Sequence, residues 1–210
     1  MPTFFLEKNT QNKPGSMRPT LIIMLKEPQP GQVKTRLAKD LGKIPAAWWF
    51  RHQAARLIRD LRDPRWHLVL AVTPDAVGLQ SRVWPVDLAR IGQGRGDLGD
   101  RMGRLLRAGP PGARLIIGSD IPDIDKDHII RALRTLSRHD AVLGPAPDGG
   151  YWLVGLKRLR SPPRNLFKNV RWSTEHALSD TIDTLTDHRI GFTDMLQDVD
   201  TLADLRALSR

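Results

Sequence analysis

The chain has 210 residues, 40% of them hydrophobic and 27% charged, which is enough for one well-cored α/β domain and short for two. No apolar run approaches the roughly 18 residues needed to cross a bilayer, and the lack of cysteine excludes disulfides and thiolate metal sites, in keeping with a cytoplasmic protein. The net charge of +10 is dispersed, not gathered into a basic tail, and aromatics are only 6%, so a phosphate-rich small molecule is expected as partner in preference to nucleic acid.

Residues 1–18 are polar and without periodicity, and they are expected to form a flexible tail ahead of a single domain over 19–210. Met1 to Met17 lacks the basic and apolar regions of a signal peptide. Leu21 to Leu25 is the first apolar run and reads as a buried strand. Ala46 to Leu61 carries apolar residues at helical spacing, and Leu68 to Val72 is a second strand ended by Pro74. Leu88 to Ile91 is a short strand, and Leu98 to Leu106 a helix entered from Gly96-Asp97. Leu115 to Ile117 is a strand, followed by a helix over Asp125 to Leu136 with Asp125 as its cap. Ala141 to Leu143 and Tyr151 to Leu156 are strands. The stretch Arg158 to Arg164, with Pro162-Pro163, is expected to be a flexible loop. Ser173 to Leu185 is expected to be a helix capped by Ser173; Arg189 to Phe192 is extended, and Thr201 to Leu208 closes the chain as a helix. Strands and helices alternate, which implies a three-layer α/β sandwich around a mainly parallel, mixed sheet.

Five polar clusters each follow one of these strands, and in an open α/β sheet the loops at the carboxyl ends of parallel strands share one edge. Lys26, Lys34 and Arg36 surround Pro28 to Gly31 after the first strand. They could hold phosphates or form a solvated basic loop; the glycine spacing is not that of a Walker loop. Gly94, Gly96, Asp97 and Arg101 join a strand to a helix, where glycines allow a ligand close approach and Asp97 could equally be a cap. Asp120, in Gly118-Ser119-Asp120, stands at the tip of a buried strand, well placed for a hard cation such as Mg²⁺ or Mn²⁺. Asp148-Gly149-Gly150 is either a hairpin turn or a surface whose amides meet an acceptor. Asp198 and Asp200, one residue apart, could both reach a metal, or Asp200 could cap the last helix. Trp172 before Ser173 could stack on a base or sugar, or pack. The six histidines lack zinc spacing, and there is no Gly-x-Ser-x-Gly elbow.

Taken together, several motifs resemble the glycosyltransferase-like family called selenodomain-associated transferase 1, over Leu21 to Leu208. They are Lys26-x-Pro28-x-Pro30-Gly31-x-Val33-Lys34-Thr35-Arg36-Leu37, the block Gln93 to Met102, Gly118-Ser119-Asp120-x-Pro122, Gly144-Pro145-Ala146-x-Asp148-Gly149-Gly150-Tyr151-Trp152, Phe167-x-x-Val170-x-Trp172-Ser173-Thr174 and Asp198-Val199-Asp200-Thr201. The first block is also similar to that of phospholactate guanylyltransferases. The Gly-Gly-x-Ser-x-Arg-x-Gly loop of molybdenum-cofactor guanylyltransferases is absent, and Ile121 stands where relatives often carry Cys or Ser.

The resemblance implies a GT-A-like fold and a nucleotide-dependent transferase with a divalent cation. Its donor would be a nucleotide or nucleotide sugar, and its acceptor a small molecule. Asp120, with Asp198 or Asp200, would hold the metal; Lys34 and Arg36 would bind phosphate. Asp148, Gly149, Gly150, Trp172 and Ser173 would serve the acceptor. Two chemistries fit, glycosyl transfer from a nucleotide sugar and nucleotidyl transfer from a triphosphate with release of pyrophosphate. A non-catalytic nucleotide- or nucleic-acid-binding protein is the alternative of a different class.

Overall fold

The computed structural model describes residues 18–158 and 162–208. The expected tail up to residue 17, and residues 159–161 of the expected flexible loop, lie outside the described residues. Arg18, placed in that tail, instead donates from Nη1 to the Pro64 carbonyl at 3.2 Å.

In chain order the elements are β1 (Thr20–Lys26), α1 (Leu37–Leu41), α2 (Lys43–Asp60), β2 (His67–Thr73), α3 (Asp75–Gln80), β3 (Ala89–Gly92), α4 (Leu98–Arg107), β4 (Arg114–Ile117), α5 (Lys126–Arg138), β5 (Ala141–Pro145), β6 (Tyr151–Leu156), α6 (Ala177–Asp183), β7 (Ile190–Phe192) and α7 (Leu202–Ala207). The strands form one sheet in the order β3-β2-β1-β4-β6-β5-β7. β1 pairs in parallel with β2 and β4, β2 with β3, and β5 with β7. Only β6 runs the other way, antiparallel to β4 and β5. The sheet is therefore mainly parallel and mixed, as its alternating pattern implies.

Helices cover both faces, so the central strands bury both sides and read as continuous apolar runs. Leu115 and Ile117 of β4 face a core built with Ala54, Leu57 and Ile58 of α2 and Ile129, Ala132 and Leu136 of α5. Ile116, between them, faces Met102, Leu105 and Leu106 of α4 and Ala177 of α6.

Two helices, α1 and α3, go beyond the sequence reading, and α2 starts at Lys43, three residues earlier than its apolar stripe. Pro45 is tolerated there because amide donors in a first helical turn have no partner to lose. The expected helix from Ser173 to Leu185 is corrected to Ala177–Asp183. Ser173 has φ 60°, a left-handed conformation unlike that of an N-cap. Thr174 Oγ1 donates to the Arg171 carbonyl at 2.7 Å and accepts from the His176 amide at 3.2 Å, so side-chain turn bonds replace the first helical turn.

Because every strand but β6 points the same way, the segments after β1, β3, β4, β5 and β7 all emerge at one edge.

Candidate active site

A cavity of about 760 Å³ opens along that edge. The segment after β1 lines it with Lys34 and Arg36, beside Lys26 at the strand's end. The segment after β3 contributes Gln93 and Arg101, and that after β4 contributes Ser119 and Asp120. Asp148 and Gly150 come from the β5–β6 hairpin, Trp172 and Ser173 from the segment before α6, and Asp198 and Asp200 from that after β7.

At its centre, Asp120, Asp198 and Asp200 each place one carboxylate oxygen within 4.8 Å of the others. The Val199 amide donates to the Asp120 carbonyl at 3.1 Å, which fixes the β4 and β7 segments against each other. Thr201 caps α7 through Asp204, whose carboxylate also accepts from the Asp200 amide at 3.1 Å. Lys34 Nζ lies between two of the acids, donating to Asp120 Oδ2 at 2.7 Å and Asp200 Oδ1 at 2.8 Å. Arg36 Nη1 reaches the second oxygen of Asp200 at 3.0 Å. Lys34 has a left-handed backbone, φ 47°, and the preceding Val33 packs beneath it on Ala47 and Phe50 of α2. Its side chain is only 4% exposed, so the ammonium is a fixed part of the site.

The electrostatics are those of crowded acids around one cation. Burial alone would lower the Lys34 pKa, but the Asp120 and Asp200 carboxylates outweigh it and the net shift is upward. At Asp198 the Lys34 charge is outweighed instead: burial first, then Asp120 and Asp200, push its carboxyl up to about 6. Three hard oxygen donors converging with surplus negative charge fit Mg²⁺ or Mn²⁺ better than a softer metal.

The remaining expected residues divide. Arg101 lines the cavity and donates from Nε to the Gly96 carbonyl at 3.0 Å. Gly94, Gly96 and Asp97 are not part of its wall. The Gly94 amide is bound by the Asp75 carboxylate at 3.1 Å, and Arg104 clamps the carbonyls of Gln93 and Arg95. Asp97 forms a capping box with Asp100 at the start of α4. In the hairpin, Asp148 Oδ1 accepts from the Gly150 amide at 2.9 Å, and the Gly149 amide donates to the Ala146 carbonyl at 3.2 Å. Both glycine amides are thus engaged within the turn. Gly149 is not part of the cavity wall and packs against the Glu175 backbone. Trp172 is half-buried, edge-on to Tyr151 and Phe167 with centroids 6.4 and 5.9 Å away.

Gln93 opens the Gln93 to Met102 block, but the sequence reading assigns it no role of its own. It is buried, and its Nε2 donates to the carbonyls of Leu25 at 3.1 Å and Ala71 at 2.8 Å, knitting β1 and β2 together at the cavity floor. A glutamine directly after a strand and ahead of a glycine was the available signal. Tyr151 and Glu175 also line the cavity. Glu27, an acid within the cationic first loop, turns away from the site, its Oε1 accepting from Ser81 Oγ at 2.8 Å.

A family described as an uncharacterized protein conserved in bacteria (DUF2064) matches residues 57–174, more than half of the chain. The chain belongs to this family. No curated protein matches it. Among solved structures, a candidate nucleotide-diphospho-sugar transferase from Desulfovibrio desulfuricans G20 is 28% identical, with a TM-score of 0.83 over 93% of this chain and 87% of that one. Rv0371c of Mycobacterium tuberculosis H37Rv, solved as a manganese complex, is 15% identical with a TM-score of 0.53, covering 91% of this chain and 98% of that one. A 2-C-methyl-D-erythritol 4-phosphate cytidylyltransferase from Thermus thermophilus is 16% identical with a TM-score of 0.51, covering 92% and 100%. The last two are likenesses of fold. With the Desulfovibrio structure and the sheet order, they place the chain in the nucleotide-diphospho-sugar transferase fold class. No described helix is long and apolar enough to cross a membrane.

Proposed function

We propose that this protein is a transferase that uses a nucleotide-activated donor with a divalent cation, in keeping with the transferase family its motifs resemble. The observation that carries the reading is the meeting of Asp120, Asp198 and Asp200 within 4.8 Å, beside Lys34, in a cavity at the carboxyl edge of the sheet. Open α/β sheets bind ligands at this edge. The manganese bound to Rv0371c, and the names of the Desulfovibrio and Thermus proteins, support it.

Asp120, Asp198 and Asp200 would hold the cation, which when bound would offset negative charge on the donor's phosphates. Arg36 and Lys34 would add charge-assisted donors to the same phosphates, and Lys26 and Arg101 border the same space. The donor's base and ribose would lie over the segment carrying Gln93 and Arg101. Asp148 lines the same cavity and would receive the proton of an acceptor hydroxyl. Trp172 and Ser173 would form the rim of the acceptor pocket. Positioning and electrostatics supply most of the catalysis in such transfers, so no nucleophilic side chain is needed.

In the favoured chemistry the acceptor oxygen attacks the sugar carbon of a nucleotide sugar. The bond from that carbon to the phosphate oxygen breaks, and a nucleoside diphosphate leaves. The Desulfovibrio protein's name favours this version. The second reading is nucleotidyl transfer, in which an acceptor phosphate attacks the α-phosphate of a triphosphate and pyrophosphate leaves. The Thermus cytidylyltransferase and the Lys34-Thr35-Arg36-Leu37 stretch favour that one.

The test is to incubate the protein with a panel of nucleotide sugars and nucleoside triphosphates, with Mg²⁺ or Mn²⁺ and with chelator, and to identify the product released. A nucleoside diphosphate from a nucleotide sugar supports the first reading. Pyrophosphate from a triphosphate replaces it with the second. Tight nucleotide binding indifferent to metal would sink both.

A further inference from the structure

The opposite edge of the sheet carries a feature that donor transfer does not use. β1, β2 and β4 begin in register, with Thr20 beside both His67 and Arg114. A pocket of about 120 Å³ opens over these three residues, bordered by Arg18 and by Pro110 to Ala113. Arg114 is only 7% exposed, at the head of a strand otherwise buried and apolar. Among the described residues its Nε has no hydrogen-bond partner, and its one protein acceptor is the Leu105 carbonyl at 3.5 Å. Among the described residues no carboxylate pairs with Arg114, Arg158 or Arg18. Arg158 donates to the carbonyls of Ala108 and Pro110 at 3.0 and 2.8 Å, so it holds the loop before β4 without bringing a counter-charge.

A buried guanidinium without an anion is costly, and such groups are normally paired. Here burial first, and then the neighbouring Arg158, push Arg114 down to about 10. We propose that the pocket bounded by Arg18, Thr20, His67 and Arg114 is a second ligand site, one that binds a phosphate group. The fork of Arg114 and the charge of Arg18 suit a tetrahedral oxyanion, and the Thr20 hydroxyl and His67 ring add donors. The volume corresponds to about four water molecules, which is of the size of one phosphate group. The site lies at the far end of the strands from Asp120, and its occupancy does not depend on the transferase reading.

The experiment follows the His67 imidazole resonances by NMR in the full chain, assigned with His67→Ala, while inorganic phosphate is added at fixed pH. Sodium chloride at matched ionic strength is the control, and a phosphomonoester such as glycerol phosphate is run in parallel. The expected result is a saturable displacement by phosphate or the monoester, but not by chloride, with the monoester arm telling free phosphate from a phosphoryl group on a larger molecule. Arg18→Ala and Arg114→Lys each weaken it by about tenfold or more, and Arg36→Ala leaves it intact. The proposal is overturned if His67 does not respond, if chloride moves it equally, or if binding survives Arg18→Ala unchanged. Arg18 is half-buried and lies outside the core clusters, so that variant stays informative even if Arg114→Lys does not fold.

Discussion

Lys34 and Asp200, 166 residues apart in the chain, meet at 2.8 Å, and the same ammonium touches Asp120 at 2.7 Å. One side chain thus closes the gap between two strands' trailing segments and neutralises acids that would otherwise repel. A divalent cation on Asp120 and Asp200 would take over part of this duty and leave the ammonium free for phosphate.

Lys34→Met should therefore destabilise the metal-free protein and make it lean on metal. The acids are about one-third exposed, which softens the penalty of an unpaired charge, so about 1–2 kcal/mol of stability is expected to go. Melting curves in chelator and in Mg²⁺ or Mn²⁺ decide it. The variant's melting point falls in chelator and recovers with metal by more than the wild type gains. An equal gain in both proteins counts against the bridging role.

Asp120→Asn keeps the shape of the side chain and the Val199–Asp120 backbone bond, but removes the charge shared by Lys34 and the cation. Metal-dependent nucleotide binding should disappear, and turnover of whichever donor proves active should fall by about 10²-fold or more. Calorimetric titration of nucleotide with and without metal gives the first readout. Retained metal-dependent binding would show that the acidic cluster is not the metal site.

That the segments after β1, β3, β4, β5 and β7 emerge at one edge was legible because it depends only on strand direction, and strand direction follows from the alternation of apolar runs and helical stripes. Strand direction sends Asp120 and the Asp198-Asp200 pair to the same edge, and the family resemblance is what joins them as one metal site. Other features depend on where individual hydrogen bonds go. Asp97 and Asp100 are joined in a capping box at the start of α4, so the Asp97 carboxylate is engaged there and not at the cavity wall. The Gly149 and Gly150 amides are used inside their own turn. Ser173 has the composition of an N-cap but not the backbone of one. Gln93 and Arg114 stood out least, since a single polar residue beside an apolar run reveals its burial only once the sheet is assembled.

The Trp172 segment is tied down by one ion pair. Arg171 presents its backbone amide, Nε and Nη2 to the Asp180 carboxylate at 2.9, 2.9 and 2.8 Å. These bonds, the side chain's first, hold Asp180 well below the usual carboxylate range. For an acid whose folded pKa is depressed, the stabilisation is complete above the unfolded value of about 3.9 and is lost as pH falls from there through the folded value. Denaturant unfolding from neutral pH down to about pH 3 should show wild-type stability declining over that acid limb, and Arg171→Ala declining less. Tryptophan fluorescence of the variant should also report a looser Trp172 at neutral pH. Parallel acid limbs would mean that the pair contributes no pH-dependent stability.

Gly149 is where the hairpin touches the segment before α6 most closely. Its φ is 82°, and a Cβ there would stand 2.2 Å from the Glu175 carbonyl oxygen, a backbone atom with no room to retreat. The Leu178 amide also donates to the Gly149 carbonyl at 2.9 Å, so separating the two segments breaks a bond that starts α6. Gly149→Ala should cost about 2–4 kcal/mol, combining the left-handed penalty with overpacking. Because Asp148 precedes it and Glu175 lines the same cavity, activity should fall further than stability alone explains when both are measured at a temperature where the variant is folded. Gly150→Ala is the control: its nearest neighbour is the Asp148 carboxylate at 3.0 Å, an exposed side chain that can move. If the two alanine variants unfold at the same denaturant concentration, the Gly149–Glu175 contact is not what sets the hairpin against α6.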